Sequence, residues 1–340
     1  MNLCANSAAG IAWPRVAVAI ITRDRHVQAI EAVRSIMSTD YPVDKRTIVI
    51  IEETDSPVPI EILNVKYVAI PRHNLGYGFA RNKAIEASEG EIIAFTDDDC
   101  IVEVNWLKEI VRPLVEDSAA GAAAGAVLVG PCGQVGKCEN ILGFPGGGIK
   151  YVHQAGTKIT SWPTFSTCNC AIRRACIEKA GGFNENLVCG GEDEDLSRRI
   201  RKNHHILYNS AAQVYHRPRD SFARVFGWFL RRGRAKWMSV ASSIDRGKSY
   251  LSLIQSSPIL RLAVVLGIGA MPGVSLLAVL SAYLFLTYFL IVWRFRWSWR
   301  YYPSVRVLLS IPLVRLTMDF GHDIGVISAM ASAKDKTLHV

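Results

Sequence analysis

The chain lacks the marks of several protein classes. None of its eight cysteines (4, 100, 132, 138, 168, 170, 176 and 189) forms a CxxC pair. Cys168-x-Cys170 with Cys176 has no fourth ligand at zinc-site spacing. The pattern suits buried, reduced thiols in a cytosolic domain. The N-terminal stretch MNLCANSAAGIAWPR has no basic segment followed by a long apolar run, so a signal peptide is not expected there. No RNA- or DNA-binding motif accompanies the basic residues, which leaves nucleic acid a weak partner class. The stretch TRDRHVQ, after the first apolar run, has no glycine to cradle a triphosphate and argues against a nucleotidyltransferase. Charge itself is missing from Leu262 to Trp293, 32 residues in all. That exceeds the ~20 residues one membrane span needs and falls a little short of two.

What is present divides the chain by charge. Residues 217–340 carry 17 Lys+Arg against 5 Asp+Glu, whereas residues 1–216 carry 22 against 25. A near-neutral body with a basic C-terminal part points to anionic lipid before nucleic acid. In the body, Val16–Thr22, Thr47–Ile51, Val65–Ile70 and Ile92–Phe95 read as short buried strands. Helical spacing from His26 to Met37 and from Phe79 to Ser88 separates them, so βαβ units and a parallel sheet are expected. Ligands of such sheets bind beyond the carboxyl ends of the strands. Thr22–Arg25, Glu52–Asp55 and Asp97–Asp99 all fall at those ends and should converge on one crevice.

The triplet Asp97-Asp98-Asp99 is the most pointed of these clusters. Crowded like charges at a strand mouth call for a cation, and hard oxygen ligands select Mg²⁺ or Mn²⁺. Alternate residues of an extended segment face one way, so Asp97 and Asp99 can share one ion while Asp98 turns aside. The bland alternative is an acidic turn that solvates a strand end.

From Gly121 to Gly148 the chain is rich in Ala and Gly, with small strands and a loose GFPGGG loop expected. Thr164–Arg174 reads as strand and turn, and Gly181-Gly182 as a helix cap. Glu192-Asp193-Glu194-Asp195 opens a helix, where carboxylates favour the dipole and simple capping is the plain explanation for each. Ile206–Tyr208 and Gln213–Tyr215 are short strand candidates, the second delivering His216. Phe222–Trp237 is aromatic and basic, as in a helix lying in a membrane interface. Met271-Pro272-Gly273 is a turn signal inside the charge-free run. Lys248 and Arg261 before it, and Arg294, Arg296 and Arg300 after it, put both flanks on the cytoplasmic side, which a hairpin satisfies. Trp293, Trp297, Trp299, Tyr301 and Tyr302 form an expected interfacial belt, and Ser304–Met330 a further membrane-associated amphipathic helix with Asp319 and Asp323 kept polar.

The segments VAVAIITRDR, IVIIEETDS, NLGYGFARNKAIEASEGEIIAFTDDDCI, GGFNENLVCGGEDEDLSRRI and AQVYHRP follow one another as in the family 2 inverting glycosyltransferases, which this chain resembles over roughly residues 14–238. The resemblance implies a GT-A catalytic domain, an α/β fold with a Rossmann-like, mixed and mainly parallel sheet, followed by a C-terminal membrane-associated helical region. The boundaries it suggests are 14–220 for that domain, 221–260 for interfacial amphipathic helices, 261–294 for a transmembrane hairpin and 295–340 for a C-terminal helix and tail. By the same resemblance Asp99 holds a divalent ion (Mn²⁺ or Mg²⁺), with Asp97 on the nucleotide side and His216 completing the shell. Thr22, Arg25, Glu52, Arg81, Asn82, Asp97 and Asp98 bind the donor. Asp193 is the general base, flanked on the acceptor side by Glu192 and Asp195, although capping suffices for Asp195. Two positions depart from the family pattern: Ile21 replaces a proline before Thr22, and Glu52 replaces an aspartate, which leaves the donor base open between uracil and another.

These roles fit an inverting transfer, which needs a base for the acceptor hydroxyl and an electrophile for the leaving diphosphate. The partners implied are a nucleotide-sugar (a UDP-sugar first), a glycan or lipid-linked acceptor and membrane lipid, with no nucleic acid. Cell-surface polysaccharide or glycolipid synthesis at the inner membrane, with the catalytic domain on the cytoplasmic face, is the expected setting. Two other readings stay open: a polyprenyl-phosphate sugar synthase, and an inactive scaffold of a polysaccharide assembly complex. The QxxRW motif of processive members is absent, which favours single additions.

Overall fold

In the computed structural model, which describes residues 12–188, 190–241 and 257–337, the apolar run Val16–Thr22 forms β1 in the middle of the sheet. On one side of it lie β2 (Arg46–Glu53) and β3 (Val65–Ile70), and on the other β4 (Ile92–Asp97), all parallel. Beyond β4 the sheet becomes mixed. β8 (Asn169–Arg173) runs antiparallel to β4 and to β6 (Ala120–Val129), and β9 (His205–His216) runs parallel to β6. Two short strands, β5 (Cys100–Val102) and β7 (Thr160–Ser161), pair antiparallel with β9 near its two ends.

Strands buried on both faces need a helical layer on each. Val16, Val18 and Ile20 face α1 (His26–Met37) and α3 (Trp106–Glu116), whose Val33, Ile36, Trp106 and Ile110 complete one core. Ala19, Ile93 and Phe95 face the other way, toward α2 (Gly76–Ala87), α6 (Arg174–Ala180) and α7 (Glu192–Ile200).

Three local expectations change. Helix α2 begins at Gly76 rather than Phe79 because Gly76, at φ +88°, turns where an added methyl carbon would lie 2.7 Å from Val188 Cα. The two strand candidates after Ile206 are one strand, β9, with an irregularity opposite Gly125/Ala126. Asn169 stitches that defect by donating to the carbonyls of Ala126 and Ala212, both at 2.8 Å, and accepting from Trp106 Nε1 at 2.9 Å. After β6 the chain is not a loose connector but two helices, α4 (Gln134–Ile141) and α5 (Gly148–Ala155), joined by the GFPGGG turn.

These helices form a platform for the C-terminal region. Cys138, Ile141 and Ile149 pack with Val225 and Phe229 of α8 (Phe222–Ala241) and with Val307, Ile311 and Val314 of α11 (Val305–Thr337). Helices α8 and α11 approach closely at glycines: a methyl on Gly325 would lie 2.1 Å from the Leu230 carbonyl oxygen. Between them come α9 (Pro258–Gly269) and α10 (Leu276–Arg294), separated by a turn in which Gly273 has φ +80°. Helix α10 has no buried residue and is the one described helix long and apolar enough to cross a membrane. Residues 1–11, Cys189, Lys248 with the rest of 242–256, and the last three positions lie outside the described residues.

Candidate functional site

The β-sheet register assembles the site. Thr22 stands opposite Glu52, and Ile21 opposite Asp97, so the carboxyl ends of β1, β2 and β4 present Thr22, Glu52 and the aspartate triplet in one row. Asp98 turns back into the protein, accepting from Thr22 Oγ1 at 2.6 Å and from Arg25 at 2.7 Å. Asp99 meets Arg25 at 3.2 Å and His216 Nε2 at 3.2 Å. Glu52 is buried and accepts from the Tyr67 hydroxyl at 2.6 Å, with His26 Nδ1 3.7 Å away.

Burial works against this charge. It raises Asp97 from its ordinary value, with the nearby Arg81 opposing and Asp99 adding to the effect. It also pushes Asp98 up to about 7, with the Thr22 hydrogen bond and Arg25 opposing. The residues present fit a hard divalent ion. Asp97, Asp99, Cys100 and His216 each offer a ligand atom, all within 4.8 Å of one another. Burial holds the Cys100 thiol far above its usual range, and its soft sulfur matches a hard divalent ion less well than the carboxylate oxygens do. His216 Nδ1 lies 2.7 Å from the Arg217 carbonyl oxygen and therefore carries a proton. In the neutral ring Nε2 then turns a lone pair toward a carboxylate oxygen of Asp99, a contact that a cation between them would relieve. The carboxylate and imidazole set suits Mn²⁺ or Mg²⁺.

On the other side of β4 stands α7. Arg81, buried on α2, ion-pairs with Glu192 and lies 3.9 Å from Asp97, so it locks the start of α7 to the end of β4. Asp193, the next residue, is half-buried, and its Oδ1 accepts the Glu194 N–H at 2.8 Å. Three of the expected site residues have other partners. Asn82 donates to the Phe183 carbonyl and accepts from the Phe183 N–H, so it shapes the turn before α7. Asp195 is taken up by Arg198 and Arg199 of its own helix. Glu192 is buried against Arg81 rather than open on the acceptor side.

A cavity of about 660 Å³ opens on the α1 side of the triplet, walled by Asp98, Asp99 and His216 with Lys137, Arg217 and Tyr302. Lys137, from α4, and Tyr302, expected in the aromatic belt rather than at the site, reach the wall through the packing of distant segments, which no local pattern marks. Arg217, adjoining His216, was findable from its neighbour: its N–H donates to the Asp99 carbonyl at 2.9 Å.

Comparison with known proteins agrees with this architecture. Residues 20–181 match the family described as "Glycosyl transferase family 2". The chain is 25% identical over 252 residues to the probable glycosyltransferase YdaM of Bacillus subtilis, covering 71% of this chain and 56% of that protein. It is also 25% identical over 193 residues to the glycosyltransferase AglE of Haloferax volcanii, covering 53% of this chain and 59% of that protein. It thus spans little more than half the length of either relative. The mannosyltransferase PcManGT of Pyrobaculum calidifontis, solved with GDP-Man and Mn²⁺, superposes with a TM-score of 0.58 at 16% identity, over 91% of this chain and 87% of that one. The fold is that of the GT-A transferases. Over residues 20–181 the chain matches a family 2 glycosyltransferase domain.

Proposed function

We propose that the chain is an inverting glycosyltransferase that moves a sugar from a nucleotide-sugar to a hydroxyl of a glycan or lipid-linked acceptor at a membrane surface. One observation carries the reading: Asp97, Asp99 and His216 converge within 4.8 Å, while Arg81 ties the neighbouring Glu192-Asp193 pair to the same strand end. Thr22, Arg25, Glu52, Asp97 and Asp98 line the donor side, with Glu52 and Tyr67 facing the base and ribose. The divalent ion, when bound, supplies the countercharge for the departing diphosphate. Asp193 takes the proton of the acceptor hydroxyl as its oxygen bonds to the anomeric carbon. The bond from that carbon to the diphosphate breaks on the opposite face, and its electron pair leaves with the nucleoside diphosphate. Arg81 holds Asp193 in register with the donor by fixing α7.

That the similar mannosyltransferase was solved with GDP-Man and Mn²⁺ supports this ligand class. We further propose the divisions 14–220, 221–260, 261–294 and 295–340, with residues 261–294 seated in the bilayer and the catalytic domain on its cytoplasmic face. The test is incubation of membranes bearing the full chain with a panel of nucleotide-sugars and Mn²⁺, following nucleotide release. Release from one donor, abolished by EDTA, is expected. Release from none, or full release in excess EDTA, overturns the reading.

A further inference from the structure

Strand β9 ends at His216, and the segment 217–221 that follows lies outside any strand or helix. The His216 ring depends on that segment. Its Nδ1 donates to the Arg217 carbonyl at 2.7 Å, and the Arg217 N–H donates to the Asp99 carbonyl at 2.9 Å. Pro218 stiffens the link, since its ring fixes its own φ and keeps the preceding residue extended. The far end is fastened to α4. The N-cap of this helix is Gly133, which has no side chain to offer, so the first N–H groups need an acceptor from elsewhere. Asp220 supplies it. Its carboxylate accepts from the N–H of Gly133 and, at 3.0 Å, from that of Gly136, where the helix dipole favours negative charge. The seating is tight: an added methyl carbon on Gly133 would lie 2.7 Å from Asp220 Oδ2, and one on Gly136 3.0 Å from Pro218 Cβ. Helix α4 is tied in turn to α11. The Cys138 thiol donates to the Val307 carbonyl at 3.3 Å, and Ser310 Oγ donates to Gln134 Oε1 at 3.3 Å. One series of contacts thus runs from the C-terminal helix to the imidazole beside the aspartates.

We propose that Asp220 is a positioning residue: by capping α4 it holds the link 217–220 in place and so sets the His216 imidazole against the divalent ion. The proposal rests on the metal-dependent reading above and adds what keeps the ion's ligands in register. Arg219, in the middle of the link, lies 3.4 Å from Glu139 and stacks on Trp228 at 4.0 Å. Those contacts keep the link near α4 when the cap is lost; the cap fixes where along α4 it sits.

The test uses the full chain in detergent micelles. Mn²⁺ is titrated alone and then with UDP or GDP, and read by electron paramagnetic resonance. In the wild type, coupling of the ion to an imidazole nitrogen is expected, and His216→Asn should remove it. Asp220→Ala is expected to weaken Mn²⁺ binding by about 10-fold, the lower end for a lost contact behind a metal ligand, and to diminish the nitrogen coupling. Asp220→Asn, which keeps a carbonyl acceptor for the cap, should recover most of both. Gly133→Ala crowds the carboxylate from the α4 side and should resemble Asp220→Ala; it decides the matter where Asp220→Ala fails to fold. Gly325→Ala, which loosens the α8–α11 packing without touching the link, should keep both affinity and coupling. Unchanged affinity and coupling in folded Asp220→Ala and Gly133→Ala chains overturn the proposal, as does an equal loss in Gly325→Ala. A wild type that binds Mn²⁺ without nitrogen coupling takes His216 out of the ion's shell and defeats the metal reading and the proposal together. A wild type that turns over no donor defeats the transferase reading alone, and the spectra still decide this one.

Discussion

Asp99 and Asp193 are asked for different things, and single substitutions should separate them. Asp193→Asn keeps size and most hydrogen bonding but cannot take a proton. Turnover should fall by about 10²–10⁴ with donor affinity nearly intact, and an equal loss of donor binding would make Asp193 structural. Asp99→Asn should lose metal-dependent donor binding as well as turnover, measured by titrating nucleoside diphosphate with and without Mn²⁺. Glu139 offers a test on stability alone. Fully buried 3.4 Å from Arg219, its carboxyl is pushed up to about 7 from 4.5 by burial, with Arg219 opposing. The folded chain therefore keeps a proton that the unfolded chain releases. Stability from this group is complete below about pH 4.5 and is lost as pH rises through about 7, by about 3 kcal/mol. In Glu139→Gln that slope should vanish from urea melts recorded across this window. A slope unchanged from the wild type would assign it to other groups.

At the scale of elements, the parallel half of the sheet was legible because continuous apolar runs such as VAVAIIT and TIVII admit little but a doubly covered strand. The aspartate triplet was legible for the same reason, since strand ends are where such sheets bind. Other features were hidden by their partners. Nothing local marks Asn209–Ala212 as an irregularity within β9, because Asn169 and Trp106, which stabilise it, come from other strands and helices. Arg81 and Glu192 stand 111 positions apart, so their pairing belongs to the fold and not to either motif. The GFPGGG turn read as loose because its glycines look permissive, whereas the helices on either side are held by α8 and α11. Close packing of those two helices has a direct test. Gly325→Ala puts a methyl where the Leu230 carbonyl oxygen leaves no room, and should destabilise the chain by about 1–3 kcal/mol in a thermal melt, with the donor site's affinity retained. An unchanged melt would show that α8 and α11 separate freely.

For the whole molecule, the question is which side of a bilayer each end of the apolar hairpin meets. Helix α10 at 19 residues would reach about 28 Å, close to a hydrocarbon core of about 30 Å, whereas α9 at 12 residues would reach about 18 Å. The shorter arm asks for local thinning or tilt. The basic residues Arg261, Arg294, Arg296 and Arg300 favour keeping both flanks on one side. Val274→Cys and Trp299→Cys, both exposed positions, can be labelled with an impermeant thiol reagent in right-side-out and inverted membrane vesicles, using the parent chain as background. Labelling of position 274 from outside and of position 299 only from inside is expected. The reverse pattern would mean that a single span crosses.

The hairpin is bracketed by two helices, α8 and α11, that both grip the same platform on the catalytic domain. An anchor attached at one end would let the domain swing like a buoy on a chain. On the membrane seating proposed above, an anchor held at both ends would act as a fixed pillar, keeping the cleft at a constant height over the lipid surface. Such a cleft would measure its acceptor by distance from the bilayer, meeting groups at one height and passing over those farther out.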